Sequence, residues 1–245
     1  IGDANNDGIN DILAAGDDDD DDSRDLNWFD SQGDDDDDDW SDWSREKVHK
    51  DELVKDMHFV DMDGDGRLDV ITVEGGSEKA FYWHQNVANP SKKNPDDLYF
   101  SRDWIGGFNS SDDEAPVSVY AADIDGKGIL DIFGANQGDH NIVWFESGHT
   151  NNSDFTMHTI DRHGLPDVED IYAADFDNDG DMDLAAVASN SDGSKANVVW
   201  YENVDALDGQ WTKHEIDFNM FGAKEVIAQD MNGDGYADLV VSSDT

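Results

Sequence analysis

The stretch Asp61-Met62-Asp63-Gly64-Asp65-Gly66-Arg67-Leu68-Asp69, followed at once by Val70-Ile71-Thr72-Val73, constrains this chain more than any other. Acidic side chains at loop positions 1, 3, 5 and 9 aim oxygen atoms at one point. A hard cation such as Ca²⁺ takes about 6–8 such ligands. Asp61, Asp63, Asp65 and Asp69 offer carboxylates, and Arg67 offers its backbone carbonyl. Gly64 and Gly66 permit the tight, partly left-handed turn that gathers them. A β-branched run follows, not a helical pattern, so the expected setting is a calcium loop between two strands.

The loop recurs, beginning at Asp3, Asp61, Asp123, Asp175 and Asp230. An apolar strand follows each copy: Ile12–Ala15, Val70–Val73, Ile132–Ala135, Leu184–Val187 and Leu239–Val241. After the first four comes a Trp-centred strand, as in Leu26–Asp30, Phe81–Gln85, Ile142–Glu146 and Val198–Glu202. A further strand pattern follows at Trp43–Val48, Phe100–Ile105, Phe155–Ile160 and Trp211–Ile216. A short apolar stretch such as Val119–Ala122 or Ile171–Ala174 then leads into the next loop. Four strands per unit at a near-constant period predict an all-β chain of propeller blades, with each loop between a first and a second strand. The sequence repeats are 1–60, 61–122, 123–174, 175–229 and a partial 230–245. They form one β-propeller region, expected to be a partial ring of about four to five blades from a larger propeller.

On the five Asp-rich loops and on strands such as Val199-Trp200-Tyr201-Glu202-Asn203, the chain resembles the FG-GAP/VCBS repeat family. These are the calcium-loop propellers of integrin α-subunit heads and of many secreted microbial proteins. The resemblance covers almost the whole chain. It implies Ca²⁺ as the cofactor at about four sites, or five if every loop fills.

Four loops have a full ligand set. They are Asp3, Asn5, Asp7, Asp11 with the Ile9 carbonyl; Asp61, Asp63, Asp65, Asp69 with Arg67; Asp175, Asp177, Asp179, Asp183 with Asp181; and Asp230, Asn232, Asp234, Asp238 with Tyr236. The fifth loop carries Asp123, Asp125, Asp131 and the Ile129 carbonyl, but Lys127 replaces the position-5 acid. An ammonium there removes a ligand and adds a competing charge, so this site is expected to be weak or empty, with Lys127 in place of the ion. In the alternative, Lys127 swings outward and water completes the shell.

Composition narrows the partners. The chain has 15 basic and 60 acidic residues, a formal charge of −45, and five calcium ions would offset only part of that. Such a field repels phosphate, which argues against nucleic acid and anionic membranes and leaves cations, basic surfaces or neutral glycans. Solubility or salt adaptation accounts equally well for the surplus. There is no Cys, so disulfides do not hold the fold. No stretch reaches the roughly 18 apolar residues of a membrane-spanning helix. Loops of this kind suit extracellular calcium, so a secreted or cell-surface location is expected. Ile1 stands just before the first loop, and the chain reads as a processed product or a fragment.

The Asp17–Asp22 and Asp34–Asp39 runs fall between strands and read as disordered insertions, cation-binding tracts or uncertain residues. Asn109-Ser110-Ser111 and Asn151-Asn152-Ser153 match the N-glycosylation pattern. The Trp and Tyr residues at 28, 83, 144, 200 and 201 are expected in the blade core, with sugar stacking left open for Trp40, Trp43 and Trp104. His158 and His214 occupy equivalent positions and read as packing or hydrogen-bonding elements. No nucleophile elbow, zinc motif or phosphate loop is present. An enzyme would need a central constellation that breaks the repeat, with Arg102, Arg162 or His163 as candidates. The favoured reading is a non-catalytic module for binding, adhesion or structural assembly. Its partners would be extracellular proteins, glycans or further copies of the chain. The alternative is the propeller domain of a secreted carbohydrate-active enzyme such as a polysaccharide lyase.

Overall fold

The computed structural model describes residues 1–17, 24–31, 43–49, 53–75, 79–87, 99–108, 116–148, 154–190 and 197–244. Trp40, Asn109 and Asn151 lie outside the described residues, as do both Asp runs apart from Asp17. Every regular element described is a strand. The first sheet holds β1 (Ile12–Asp17), β2 (Arg24–Ser31) and β3 (Trp43–His49). The second holds β4 (Val54–Val60), β5 (Asp69–Glu74), β6 (Ala80–Asn86) and β7 (Phe100–Gly107). The third runs through β8 (Pro116–Ala122), β9 (Asp131–Asn136), β10 (Asn141–Ser147) and β11 (Phe155–Arg162). The fourth runs through β12 (Val168–Ala174), β13 (Asp183–Ala188), β14 (Val198–Asp205) and β15 (Gln210–Asp217). The last comprises β16 (Ala223–Gln229) and β17 (Asp238–Ser243).

Each sheet is an antiparallel meander, and among the described residues no strand pairing joins the first sheet to the last. These are propeller blades in an open arc. The sequence repeat and the sheet differ in phase by one strand, since the strand before each loop pairs with the strand after it, as in Val60↔Asp69 and Ala122↔Asp131. The loops starting at Asp61, Asp123, Asp175 and Asp230 therefore sit between the first and second strands of a sheet, as the pattern predicts, while the Asp3 loop precedes β1 and is closed by the single bridge Gly2↔Asp11.

The period of two along each strand decides which neighbour a side chain meets. On β5, Val70 packs toward the first sheet, while Ile71 and Val73 pack toward the third. On β9, Ile132 turns back to the second sheet and Phe133 forward to the fourth. Both faces are covered, so β5, β9 and β13 are buried along their whole length. The Trp-aromatic pair works in the same way: Trp144 faces the fourth sheet and Phe145 the second. Trp28, Trp83, Trp144 and Tyr201 are fully buried, as expected for blade core, whereas Trp200 is only half-buried, beside Phe176. His158 stacks on Trp144 and His214 on Trp200, with ring centroids 4.4 Å apart in both pairs.

Blades also bond to one another along their inner strands. Asp56 Oδ2 accepts the Val119 N–H (2.9 Å), Ser118 Oγ accepts that of Ile171 (3.3 Å), and Asp170 Oδ2 accepts that of Val226 (2.9 Å). All three acceptors sit where the first two strands of their sheet shift register.

Gly134 marks a close approach between blades. A Cβ there would lie 2.6 Å from Phe81 Cζ, and that ring is held between Phe108 and Phe145. Gly134→Ala is expected to cost about 1–3 kcal/mol by overpacking, measured as a drop in urea midpoint at unchanged slope.

Candidate metal centres

Backbone geometry builds the five loops alike. At position 4 the chain takes the left-handed region in every copy: φ is 61° at Asn6 and Asn178, 71° at Gly64, 69° at Gly126 and 80° at Gly233. This turn points successive N–H groups at the first carboxylate. Asp61 accepts from Asp65 (3.0 Å) and Gly66 (2.9 Å), and Asp175 from Asp179 (3.2 Å) and Gly180 (3.1 Å). The position-5 carboxylate accepts the position-7 N–H, as in Ile9 to Asp7 (2.8 Å), Asp181 to Asp179 (3.0 Å) and Tyr236 to Asp234 (2.9 Å). Such bonds hold carboxylates in place while leaving lone pairs for a further ligand.

Three loops bring acidic oxygens within 4.8 Å of one another: Asp61, Asp63 and Asp65; Asp123, Asp125 and Asp131; Asp175, Asp177 and Asp183. The donors are carboxylate oxygens with neither nitrogen nor sulfur, which suits Ca²⁺ or another hard cation. Among the described residues, the loops starting at Asp3 and Asp230 form no such triad, and both carry Asn at position 3. Asp230 instead accepts three backbone N–H groups, from Gly233, Asp234 and Gly235, and these hold it below the ordinary Asp range.

The position-9 aspartate differs from the simple picture of a metal ligand. Asp69 accepts the Met62 N–H and the Trp83 indole on Oδ2 and the Asn86 N–H on Oδ1 (2.7 Å). Asp131 accepts from Ile124 (3.2 Å) and Ser147 (2.8 Å), and Asp183 from Phe176 (3.0 Å) and Asn203 (2.8 Å). The residue clamps its loop to the third strand of its own sheet. Asp69 stands outside the Asp61, Asp63, Asp65 triad, while Asp131 and Asp183 serve both roles. Burial pushes Asp69 and Asp131 up to about 7 and Asp183 up to about 6, against the opposing pull of these N–H bonds.

Lys127 turns inward. Its ammonium lies 2.6 Å from Asp125 Oδ2 and 2.8 Å from Glu146 Oε1, and both contacts raise its pKa. The same pair, with His158 beside it, lowers Glu146. In the Asp61 loop the nearest cation is Arg67, whose guanidinium pairs with Asp65 from the rim and also donates to the Asn86 carbonyl.

Residues that a loop-only reading misses lie two positions after each Trp, on the Trp-bearing strand of each sheet. Gln85 Nε2 donates to Asp63 (2.5 Å), Asp30 accepts from Asn5 (3.0 Å), and Glu146 holds Lys127. Glu202 takes the equivalent place and pairs with His214 (2.7 Å). Their recurrence inside the Trp motif was the available signal. Loops are also tied across blades: Asn6 donates to Gly66 O and Asn178 to Gly235 O, each at 2.9 Å. Asn86 and Asn203 reach back to Ala4 O and Ile124 O, each at 3.1 Å.

The structure does not bring Arg102, Arg162 and His163 together. Arg102 pairs with Glu74 and lies over Tyr82, 3.6 Å from the ring centroid, in the second sheet. Arg162 and His163 are exposed at the end of β11 in the third. Trp43 and Trp104 are exposed on outer strands at 38% and 61%.

Two outcomes are expected. Lys127→Asp should create one more calcium site, seen by equilibrium dialysis as a further bound ion per chain. In the metal-free protein, Asp69, Asp131 and Asp183 retain protons that an unfolded chain releases near pH 3.8. Their contribution to stability is complete below that value and is lost as pH rises through about 6–7. Melting in chelator should therefore fall from pH 4 to 7, and saturating calcium, which requires the ionised Asp183, should reduce the fall.

No curated protein matches the chain. Residues 123–186 match the family model of the FG-GAP-like repeat, spanning the Lys127 loop, β9 to β12, the Asp175 loop and the start of β13. The matched segment is an FG-GAP-like repeat, and the same loop, Trp strand and sheet order recur on either side of it.

Proposed function

We propose that this chain is an extracellular, calcium-stabilised propeller that works as a non-catalytic binding or structural-assembly module. The reading rests above all on the contrast between the Lys127 loop and the others. Where a lysine replaces the position-5 acid, its ammonium sits against the clustered carboxylates. At Asp175, Asp177 and Asp183 the same cluster has no such ammonium within the loop, and Asp177 is raised by burial and by its acidic neighbours. A divalent cation supplies that missing charge. The ligands are those assigned to the four full loops, with the Asp123 loop weak or empty.

Calcium in this role stabilises the blade edge and leaves the rest of the surface for recognition. The acidic field favours proteins with basic surfaces, neutral glycans or calcium-bridged copies of the chain over nucleic acid. An extracellular site fits the millimolar calcium that loops of this type require.

Calorimetric melting with and without calcium tests the proposal. Calcium at about 100 times its dissociation constant is expected to add roughly 2.7 kcal/mol per site. Magnesium should do less, because it demands tighter octahedral geometry. A melting point indifferent to millimolar calcium and to chelator would overturn the metal assignment.

A further inference from the structure

We propose that the cavity on the propeller axis is a binding site for a neutral saccharide. It has a volume of about 350 Å³ and is lined by the inner strands β4, β8, β12 and β16. That size falls within the roughly 300–1,000 Å³ of small-ligand sites. Its lining includes none of the loop carboxylates assigned to the metal centres, which begin beyond the ends of these strands. The cavity is thus separate from the metal centres.

Its lining breaks the repeat where a purely structural axis would keep it. Two residues beyond the blade-linking positions Asp56, Ser118 and Asp170 stand His58, Tyr120 and Tyr172. Ring centroids are 5.6 Å apart for His58 and Tyr120 and 4.7 Å for Tyr120 and Tyr172. The result is a continuous aromatic wall across three blades. Both tyrosines touch the inter-sheet cores and line the cavity, and neither is fully buried. In fourth place the row has Ile227, also at the cavity and half exposed.

The polar groups decide the ligand class. Lys55 and Lys224 face the cavity together with Asp56, Glu169, Asp170 and Glu225. Lys224 Nζ is held by Glu169 at 2.9 Å, and His58 lies 3.4 Å from Asp56. An anion would meet the carboxylates, and a simple cation would meet two ammonium groups in the same wall. A polyhydroxylated neutral ring uses donors and acceptors side by side and lays its C–H face on the tyrosines. The lining also sits at a local negative potential: burial alone would depress His58, yet Asp56 and Asp170 raise it. That further disfavours acidic sugars.

This assignment rests on the binding-module reading and names its ligand. The test uses the calcium-loaded chain with methyl glycosides of glucose, galactose, mannose and N-acetylglucosamine, read by saturation-transfer NMR and titration calorimetry. At least one glycoside is expected to bind. His58→Ala and Tyr172→Ala should weaken it about tenfold, while Trp104→Ala, on an outer strand, leaves it unchanged. Tyr172→Phe, which retains the ring, should preserve stacking and cover the case where Tyr172→Ala does not fold. Absence of binding by every glycoside overturns the proposal. So does binding that survives His58→Ala and Tyr172→Ala undiminished, binding that is lost in Tyr172→Phe, or tetramethylammonium binding where no glycoside does. Failure of glycosides with calcium stabilisation intact removes the saccharide alone. Glycoside binding without calcium stabilisation removes the metal reading alone.

Discussion

The position-9 aspartate is the contact on which the rest of the structure depends. It is a buried carboxylate that accepts one N–H from its own loop and another from the third strand of its sheet. That single side chain fixes the loop's exit, sets the start of the second strand and orients the Trp strand beside it. Hydrogen bonds to a carboxylate of this kind are roughly twice as strong as neutral ones. They are needed here, because burying an unpaired carboxylate would cost several kcal/mol. Burial still pushes these groups up toward neutral pH, so the same residue that organises the blade also leaves it unfinished electrostatically.

A cation completes such a site, and the chain uses two kinds of solution around its arc. In the Asp123 loop the counter-charge is built in as Lys127, relayed to Glu146 and His158 on the next strands. In the Asp61 and Asp175 loops the carboxylates converge as they do at Asp123, but with no lysine at position 5. On the proposed reading, built-in charge would make a blade independent of calcium, and carboxylates without it would make a blade responsive. Cross-blade bonds from Asn6, Asn86, Asn178 and Asn203 connect one loop to the next, so order imposed on one blade is felt by its neighbour.

On the inner side of the arc the same logic of repetition is put to a different use. Asp56, Ser118 and Asp170 take one backbone N–H each from the following blade. Ser118 Oγ also lies 3.1 Å from Asp56 and 2.7 Å from Asp170, so one hydroxyl proton serves two carboxylates. This holds three inner strands in fixed relation and gives the axial wall of His58, Tyr120 and Tyr172 a rigid support.

The sequence by itself determined the repeat, the all-β blades, the loop between first and second strands, the burial of the Trp motif and the exceptional place of Lys127. All of these depend on short-range chemistry: period-two alternation, left-handed turn residues and the sign of one side chain. Only the tertiary structure decided what meets across blades. The clamp role of Asp69, the partners of Gln85 and Glu146, and the gathering of His58, Tyr120 and Tyr172 at the axis join residues from different strands or different repeats. Tyr120 and Tyr172 read along the chain only as members of apolar stretches. Their distance in sequence carries no trace of the 4.7 Å between their rings, because that separation is fixed by sheet packing and not by local spacing.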